Sequence, residues 1–582
     1  MLRNKNLWIL ASASACIISI YIIKSQAPIS QSQSFQKFTD TFFTQEVISS
    51  TLTLHYTLKN PQDYGIVSYP VTYDSCSQSL SSEDSPLLQT YLDTLHSFCY
   101  EDLSDREQLS YDILELSLRN SLEALKYPYY EEPLGCTTGI QAQLPVLLSE
   151  YQFFSAEDIE TYLQLLSSTE EYFSQILEYE KEKSKRGLFM TEKNARTIIS
   201  QCQDFISPPP EENLLVYMFN ERINALSFLT SDERLMYQEE NLKLVTTCVL
   251  SAYQNLARGL SSLCTSGKNE NGLYYFPLGR QYYEHLLRSQ AGTYLPVNAI
   301  ENRIRTQLLK DLQECRTLLA KNPTPDISQP LKDFFDTPEE ILADLQTQMA
   351  DVFPDPPAVS YEINYIPDNL SQYLSPAFYL TPPIDDTGNN VIYLNPAANY
   401  TDLDLYTTLA HDGYPGHLYQ TVFSSQYMEP FRSLLSIPGF TEGWATYVEM
   451  ESYKYASTHL TEREKDTASF ARLNRSVMLG ISSLLDLYIH DRGFTREDTR
   501  TFLKNLGFTN EASADSLFDA ILDAPANYLN YYLGYLSFLD LRTYIEQHAP
   551  DTFQLKDFHR KILEIGPCPF PVLEKYLKAS FF

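Results

Sequence analysis

From about residue 36 to about residue 350 the apolar side chains recur with a helical period, and no other feature of the chain limits its fold as much. A period near 3.6 residues draws one apolar stripe along each helix, and such stripes are buried by packing helices on one another. Glu157 to Lys183, Ser231 to Leu263 and Val297 to Leu319 read as long amphipathic helices. Pro208-Pro209-Pro210, the stretch from Gly267 to Gly272, and the stretch from Pro323 to Pro330 separate them. No repeat of fixed period occurs. Residues 351–400 differ: Pro354, Pro356, Pro357, Pro376, Pro382 and Pro383 break helices, and Phe378-Tyr379-Leu380 and Val391-Ile392-Tyr393-Leu394 flank a turn-rich spacer. Two such runs predict a β-hairpin. Helical patterning then resumes to the end. The expected architecture is mainly α, with one small sheet or hairpin. It divides into an N-terminal segment (1–24), a linker (25–35), a helical region (36–350) and a C-terminal region (351–582), without a sharp boundary near 350.

The first 24 residues set the expected location. Arg3 and Lys5 precede a charge-free run from Leu7 to Ile23, which Lys24 closes. Such a run spans about 25 Å as a helix, the low end for crossing a bilayer, and the leading positive charge keeps that end in the cytoplasm. The reading is a single-pass membrane anchor with the rest of the chain extracytoplasmic. The alternatives are a cleaved signal peptide and, since Cys16 follows Ala-Ser-Ala, a lipoprotein. Eight of the nine cysteines lie beyond this run, so disulfides are allowed there, and no CxxC pair offers a thiolate metal site. The net charge of −32 repels phosphate backbones and argues against nucleic-acid partners.

The chemistry concentrates in Leu409-Ala410-His411-Asp412-Gly413-Tyr414-Pro415-Gly416-His417-Leu418-Tyr419-Gln420. Two histidines with a carboxylate beside the first suit zinc, which favours neutral imidazoles and an open position for water. The spacing is awkward. Positions i and i+6 lie about 120° apart on an ideal helix, too far round to share an ion. A bulge at Pro415-Gly416 would bring His417 back to the face of His411. The competing reading makes both histidines capping or core residues. Twenty-five residues after His417 comes Thr441-Glu442-Gly443-Trp444-Ala445-Thr446-Tyr447-Val448-Glu449, with Thr441 as the expected N-cap, Glu442 in the first turn, and Glu442 and Glu449 on one face.

These two segments resemble a bacterial family known as domain of unknown function 885, whose hallmark is His-Glu-x-x-Pro-Gly-His-x-x-Gln followed by Glu-Gly-Trp-Ala-x-Tyr-x-Glu. Gly135 to Pro145, Pro277 to Tyr283, Asp486 to His490 and Pro525 to Gly534 resemble its other motifs. The resemblance implies a large helical, gluzincin-like metallopeptidase fold, akin to the carboxypeptidase Taq family. It implies one zinc ion on His411, His417 and Glu442, with Asp412 as general base. It places His490 and Tyr531 toward the cleft as donors to an oxyanion, ordinary packing being the alternative for both. The hairpin around Val391 to Asn395 would bind an extended peptide by strand addition. One position departs from the pattern: Asp412 stands where the family usually has Glu, one methylene longer.

The expected function is therefore an extracytoplasmic zinc peptidase acting on peptide substrates, with membrane contact through the N-terminal segment only. A catalytically weak binding protein on the same scaffold and a cell-wall peptide amidase are the alternatives. Oligomeric state and substrate preference leave no mark in the sequence.

Overall fold

The computed structural model describes residues 30–74, 85–323, 325, 334–366 and 375–582. The apolar segment from Leu7 to Ile23 lies outside the described residues, as do Cys16 and Cys76. Among the described residues no helix is long and apolar enough to cross a membrane. The seven described cysteines are free thiols.

The first helix among the described residues, α1 (Gln31–Val47), begins inside the stretch read as a linker. The reason is local. The Ser30 hydroxyl accepts from the Gln33 N–H and the Gln33 side chain accepts from the Ser30 N–H, a reciprocal cap that starts a helix without help from its surroundings. Helix α2 (Ala156–Arg186) starts the same way, with Ser155 and Asp158, and stops at Gly187, whose φ of 73° suits the left-handed position after a helix. The stripe from Ser231 to Leu263 is helical throughout, with a π-helical turn at Val245–Val249. Helix α3 (Val297–Lys321) matches its predicted stripe.

The small sheet has three strands: β1 (Ser360–Tyr365), β2 (Ala377–Leu380) and β3 (Asn389–Leu394). The β2–β3 pairing is the predicted hairpin, antiparallel with Ala377 opposite Leu394. The added strand β1 pairs parallel to β3 with Ser360 opposite Asn389. The order β1-β3-β2 places β3 in the middle. Both backbone edges of Val391 to Leu394 are thus occupied, so β3 itself takes no added strand; among the described residues the outer edges of the sheet are those of β1 and, on the hairpin, β2. The N-terminal half grips the sheet from two sides. Asp385 accepts from the N–H groups of Lys59 and Asn60 at 2.8 and 2.7 Å, and the Tyr393 hydroxyl donates to Glu150 at 2.6 Å.

The remaining elements that matter for function are α4 (Asp402–Asp412), α5 (His417–Ser424), α6 (Pro438–Ala456), α7 (Glu462–His490) and α8 (Asn527–His548). Their apolar faces join β3 and α3 in the largest core cluster, which runs from Leu273 to Leu577 and takes in Leu109 and Ile113. Residue 350 falls inside that cluster, between Met349 and Phe353. A second cluster gathers residues between Leu52 and Cys264, and a third joins the phenylalanines of α1 to Phe431. Helices α6 and α8 cross in unusually close contact. A Cβ on Gly534 would lie 2.1 Å from the Gly439 carbonyl oxygen, and one on Gly443 would lie 2.6 Å from the Gly534 backbone. Only glycines permit that approach.

Candidate metal centre

Helix α4 ends at Asp412, just after His411, and the chain leaves the helical path for four residues. Gly413 adopts φ −104°, ψ −103° and Gly416 φ −82°, ψ −136°, and α5 begins at His417. The interruption is thus four residues long rather than the predicted two. It is held on both sides. The indole N–H of the fully buried Trp444 donates to the Pro415 carbonyl at 2.9 Å, and the Tyr419 N–H donates back to the Gly413 carbonyl at 3.2 Å. A Cβ on Gly416 would sit 1.7 Å from the His411 carbonyl oxygen, so the return path exists only for glycine. The detour brings the two imidazoles together, with ring centroids 4.9 Å apart.

Helix α6 supplies the third donor. It starts at Pro438, three residues before the predicted cap at Thr441. Proline fits a first helical position, and the next residue, Gly439, donates to the Gln290 carbonyl at 2.8 Å. Glu442 is consequently in the second turn, not the first. Its Oε2 stands 3.5 Å from His411 Nε2 and 3.5 Å from His417 Nε2. One donor atom from each of the three residues lies within 4.8 Å of the others, and among the described residues no other such group of three or more was found. Zinc bonds of ~2.0–2.2 Å in tetrahedral array separate neighbouring donors by about 3.3 Å. The donor set, two imidazoles and a carboxylate, and its spacing therefore fit one zinc ion with a fourth position open.

Glu449, two turns on along α6, reaches the other side of His411. Its Oε2 lies 3.1 Å from His411 Nδ1, while Arg475 of α7 donates to it through Nε at 2.8 Å and Nη2 at 3.4 Å. Burial works against charge on His411, but the hydrogen bonds its imidazole donates to Glu442 and Glu449 outweigh it and raise the imidazole to about 10. Burial likewise opposes charge on Glu449, yet Arg475 and His411 bring it down to about 2. Glu442 is held below the usual carboxylate range by the two imidazoles, despite its own burial. A carboxylate on the remote nitrogen of a ligating imidazole fixes its tautomer and orientation. Replacing Glu449 by Gln should weaken zinc binding ~10–100-fold, as measured by competition with a chromogenic chelator. Unchanged affinity would remove Glu449 from the centre.

Asp412 is 7% exposed, and burial pushes its carboxyl above the usual range, with the two imidazoles acting in the opposite sense. Tyr531 of α8 stands beside the donors: its ring centroid is 6.3 Å from that of His411, and burial, Glu442 and Asp412 raise its phenol far above normal. The close α6–α8 crossing is what brings it there. His490 does not join them. Its Nδ1 accepts from the Leu273 N–H and its Nε2 bonds to the Ile521 carbonyl, each at 3.1 Å, and it is 1% exposed. Both nitrogens are used, and burial lowers the imidazole to about 4. The expectation that His490 serves an oxyanion is thereby corrected: the imidazole ties the end of α7 to the start of a short 3-10 turn at Leu273 and to the last turn of the helix Glu511–Asp523. The neighbouring motifs behave alike. Asp486 Oδ1 accepts from the Tyr283 hydroxyl at 2.5 Å and from the Ala526 N–H at 3.1 Å, and Asp523 accepts from the Cys136 N–H at 2.8 Å. They build the frame that sets the start of α8.

Sequence reasoning saw that Glu442 and Glu449 share a face but assigned Glu449 no role, and it missed Arg475 and the Trp444 bond. The seven-residue spacing on α6 was a usable signal for Glu449. Nothing in the sequence links Arg475 to it, because the two meet only through the packing of different helices.

A family model for a bacterial protein of unknown function, DUF885, matches residues 69–577. The chain belongs to that family. No curated protein matches it. Two solved structures resemble the chain in shape. One, described as a "putative lipoprotein" from Colwellia psychrerythraea, superposes with a TM-score of 0.81 at 19% identity over 95% of this chain and 100% of that one. The other, described as a "putative lipoprotein of unknown function" from Shewanella oneidensis, has a TM-score of 0.64 at 15% identity over 94% of this chain and 99% of that one. At these identities the likeness establishes a shared fold.

Proposed function

We propose that this DUF885 protein is a zinc-dependent peptidase that works outside the cytoplasm. The observation that carries the reading is the convergence of His411, His417 and Glu442, from three helices, at a spacing that suits one ion. When bound, zinc supplies Lewis acidity toward a carbonyl oxygen and lowers the pKa of water. The chain's own residues supply the rest. Asp412 takes the proton of the attacking water on its carboxylate, and its raised affinity for protons in a buried setting favours that transfer. The Tyr531 hydroxyl, kept protonated by its surroundings, donates to the oxygen on which negative charge develops. Glu449 and Arg475 hold His411 in place. The location is supported by the charge-flanked apolar run from Leu7 to Ile23 and by the descriptions of the two structural neighbours as lipoproteins.

The test is to purify the protein, measure zinc by elemental analysis, and assay a peptide library with and without chelator. Near-stoichiometric zinc and chelator-sensitive cleavage are expected. Cleavage unaffected by chelator and by His411→Ala overturns the mechanism. A second reading, a binding protein with little turnover, draws on Asp412, whose side chain is one methylene shorter than the usual Glu; displacements of about 1 Å at a reacting group cost on the order of 10²-fold.

A further inference from the structure

A second concave site, of about 320 Å³, shares no residue with the metal donors and lies against the Pro277 to Tyr283 motif, which the peptidase reading leaves unused. Arg280, Arg288 and Arg492 line it. Three guanidinium groups around one pocket stand out in a chain of net charge −32.

Each guanidinium is held from one edge. Arg280 donates through Nε and Nη2 to Asp491 Oδ1, both at 3.2 Å. Arg288 donates through Nε and Nη2 to Glu123 at 3.2 and 2.8 Å. Arg492 pairs through Nε with Asp491 Oδ2 at 3.2 Å, and its Nη2 donates to Asn298 and, at 3.4 Å, to Glu301. In all three the Nη1 group has no partner among the described residues. These acids therefore orient the guanidinium groups without consuming all their donors, which is how arginine recognises planar or tetrahedral oxyanions. Asp491 is 2% exposed and lies beside two arginines, and Glu301 meets the second of them, so the acids balance the arginines and what the pocket offers is the Nη1 donors they leave free. Glu284 also lines the pocket and opposes an anion. The first turn of α3 opens on the same space with no side-chain cap and no acidic residue, adding the positive end of a 25-residue helix. Tyr274 and Leu295, 42% and 53% exposed, give the neighbourhood an apolar surface for an ester substituent.

We propose that this pocket binds a phosphoryl group, through the free Nη1 donors of Arg280, Arg288 and Arg492. The group arrives as free phosphate or as the headgroup of a phospholipid. The experiment uses the full chain at constant ionic strength, titrated by calorimetry with inorganic phosphate and, separately, with dihexanoyl phosphatidylglycerol below its micelle concentration. Saturable binding that Arg492→Gln weakens at least 10-fold is expected for one or both ligands. This variant leaves Asp491 paired with Arg280, and unchanged zinc content and melting temperature verify its fold. Arg280→Gln, with Asp491 left to Arg492, repeats the measurement independently. Binding of the lipid alone identifies a headgroup site; binding of phosphate identifies a site for the free ion or a soluble ester. Absence of saturable binding to either ligand, or binding that neither variant weakens, overturns the proposal.

Discussion

On the proposed reading, replacing Glu442 by Gln should empty the metal centre: zinc should fall from near one ion per chain to a small fraction, and chelator-sensitive peptide cleavage should disappear with it. The amide keeps the shape of the side chain and removes the charge that balances the cation, so the loss exceeds the ~10–100-fold cost of removing an outer partner such as Glu449. Stability separates this from misfolding. An ion that binds only the folded chain stabilises it by RT ln(1 + [L]/Kd), about 2.7 kcal/mol at a hundredfold excess over Kd. Wild-type protein should therefore melt lower after chelation, whereas Glu442→Gln should melt at one temperature with or without chelator. Two imidazoles alone leave Nε2 atoms that in the native arrangement both face Glu442 Oε2 at 3.5 Å, and among the described residues no second carboxylate completes such a group of three. If Glu442→Gln keeps full zinc and full activity, the assigned centre is wrong.

The second large effect belongs to Asp412. Asp412→Asn keeps the size of the side chain and abolishes its ability to take a proton, so turnover should drop by about 10²–10⁴-fold while zinc content stays the same. Steady-state kinetics on the best library peptide, with metal analysis of the same sample, measures both. Asp412→Glu discriminates the two functional readings. Where wild type already cleaves peptides and Asn removes cleavage, Asp412 is the working base. Where wild type is inert and Glu creates cleavage, the native protein is a binding scaffold and the shorter side chain is the cause.

Much of this was readable along the chain because it rests on local rules. The stripes behind α2 and α3 and the β2–β3 hairpin depend on residues within a few positions of one another, whereas the equally local cap that opens α1 lay in a stretch read as a linker. The candidate donors were named through the resemblance of two motifs to the family, since the residues by themselves left a capping or core role open to both histidines. The misses share the opposite character. Strand β1 pairs with a segment 29 positions away, and that pairing converts β3 from a free edge to a closed middle. His490 sits in a motif beside chemistry-bearing residues, yet its partners, Leu273 and Ile521, come from distant helical segments that no spacing rule connects to it.

What the sequence determined by itself is the helical class and the glycines and proline that let the chain turn between His411 and His417; the three candidate donor side chains it offered through the resemblance of their motifs. Tertiary structure alone decided that they meet. Trp444 reaches across from α6 to hold the Pro415 carbonyl, Arg475 from α7 clamps Glu449 behind His411, and the glycine contacts between α6 and α8 bring Tyr531 to the donors. Helical periodicity states which face of a helix is buried, but the partner for that face, and the ångström-scale separation of groups on different helices, follow only from how all the faces pack at once.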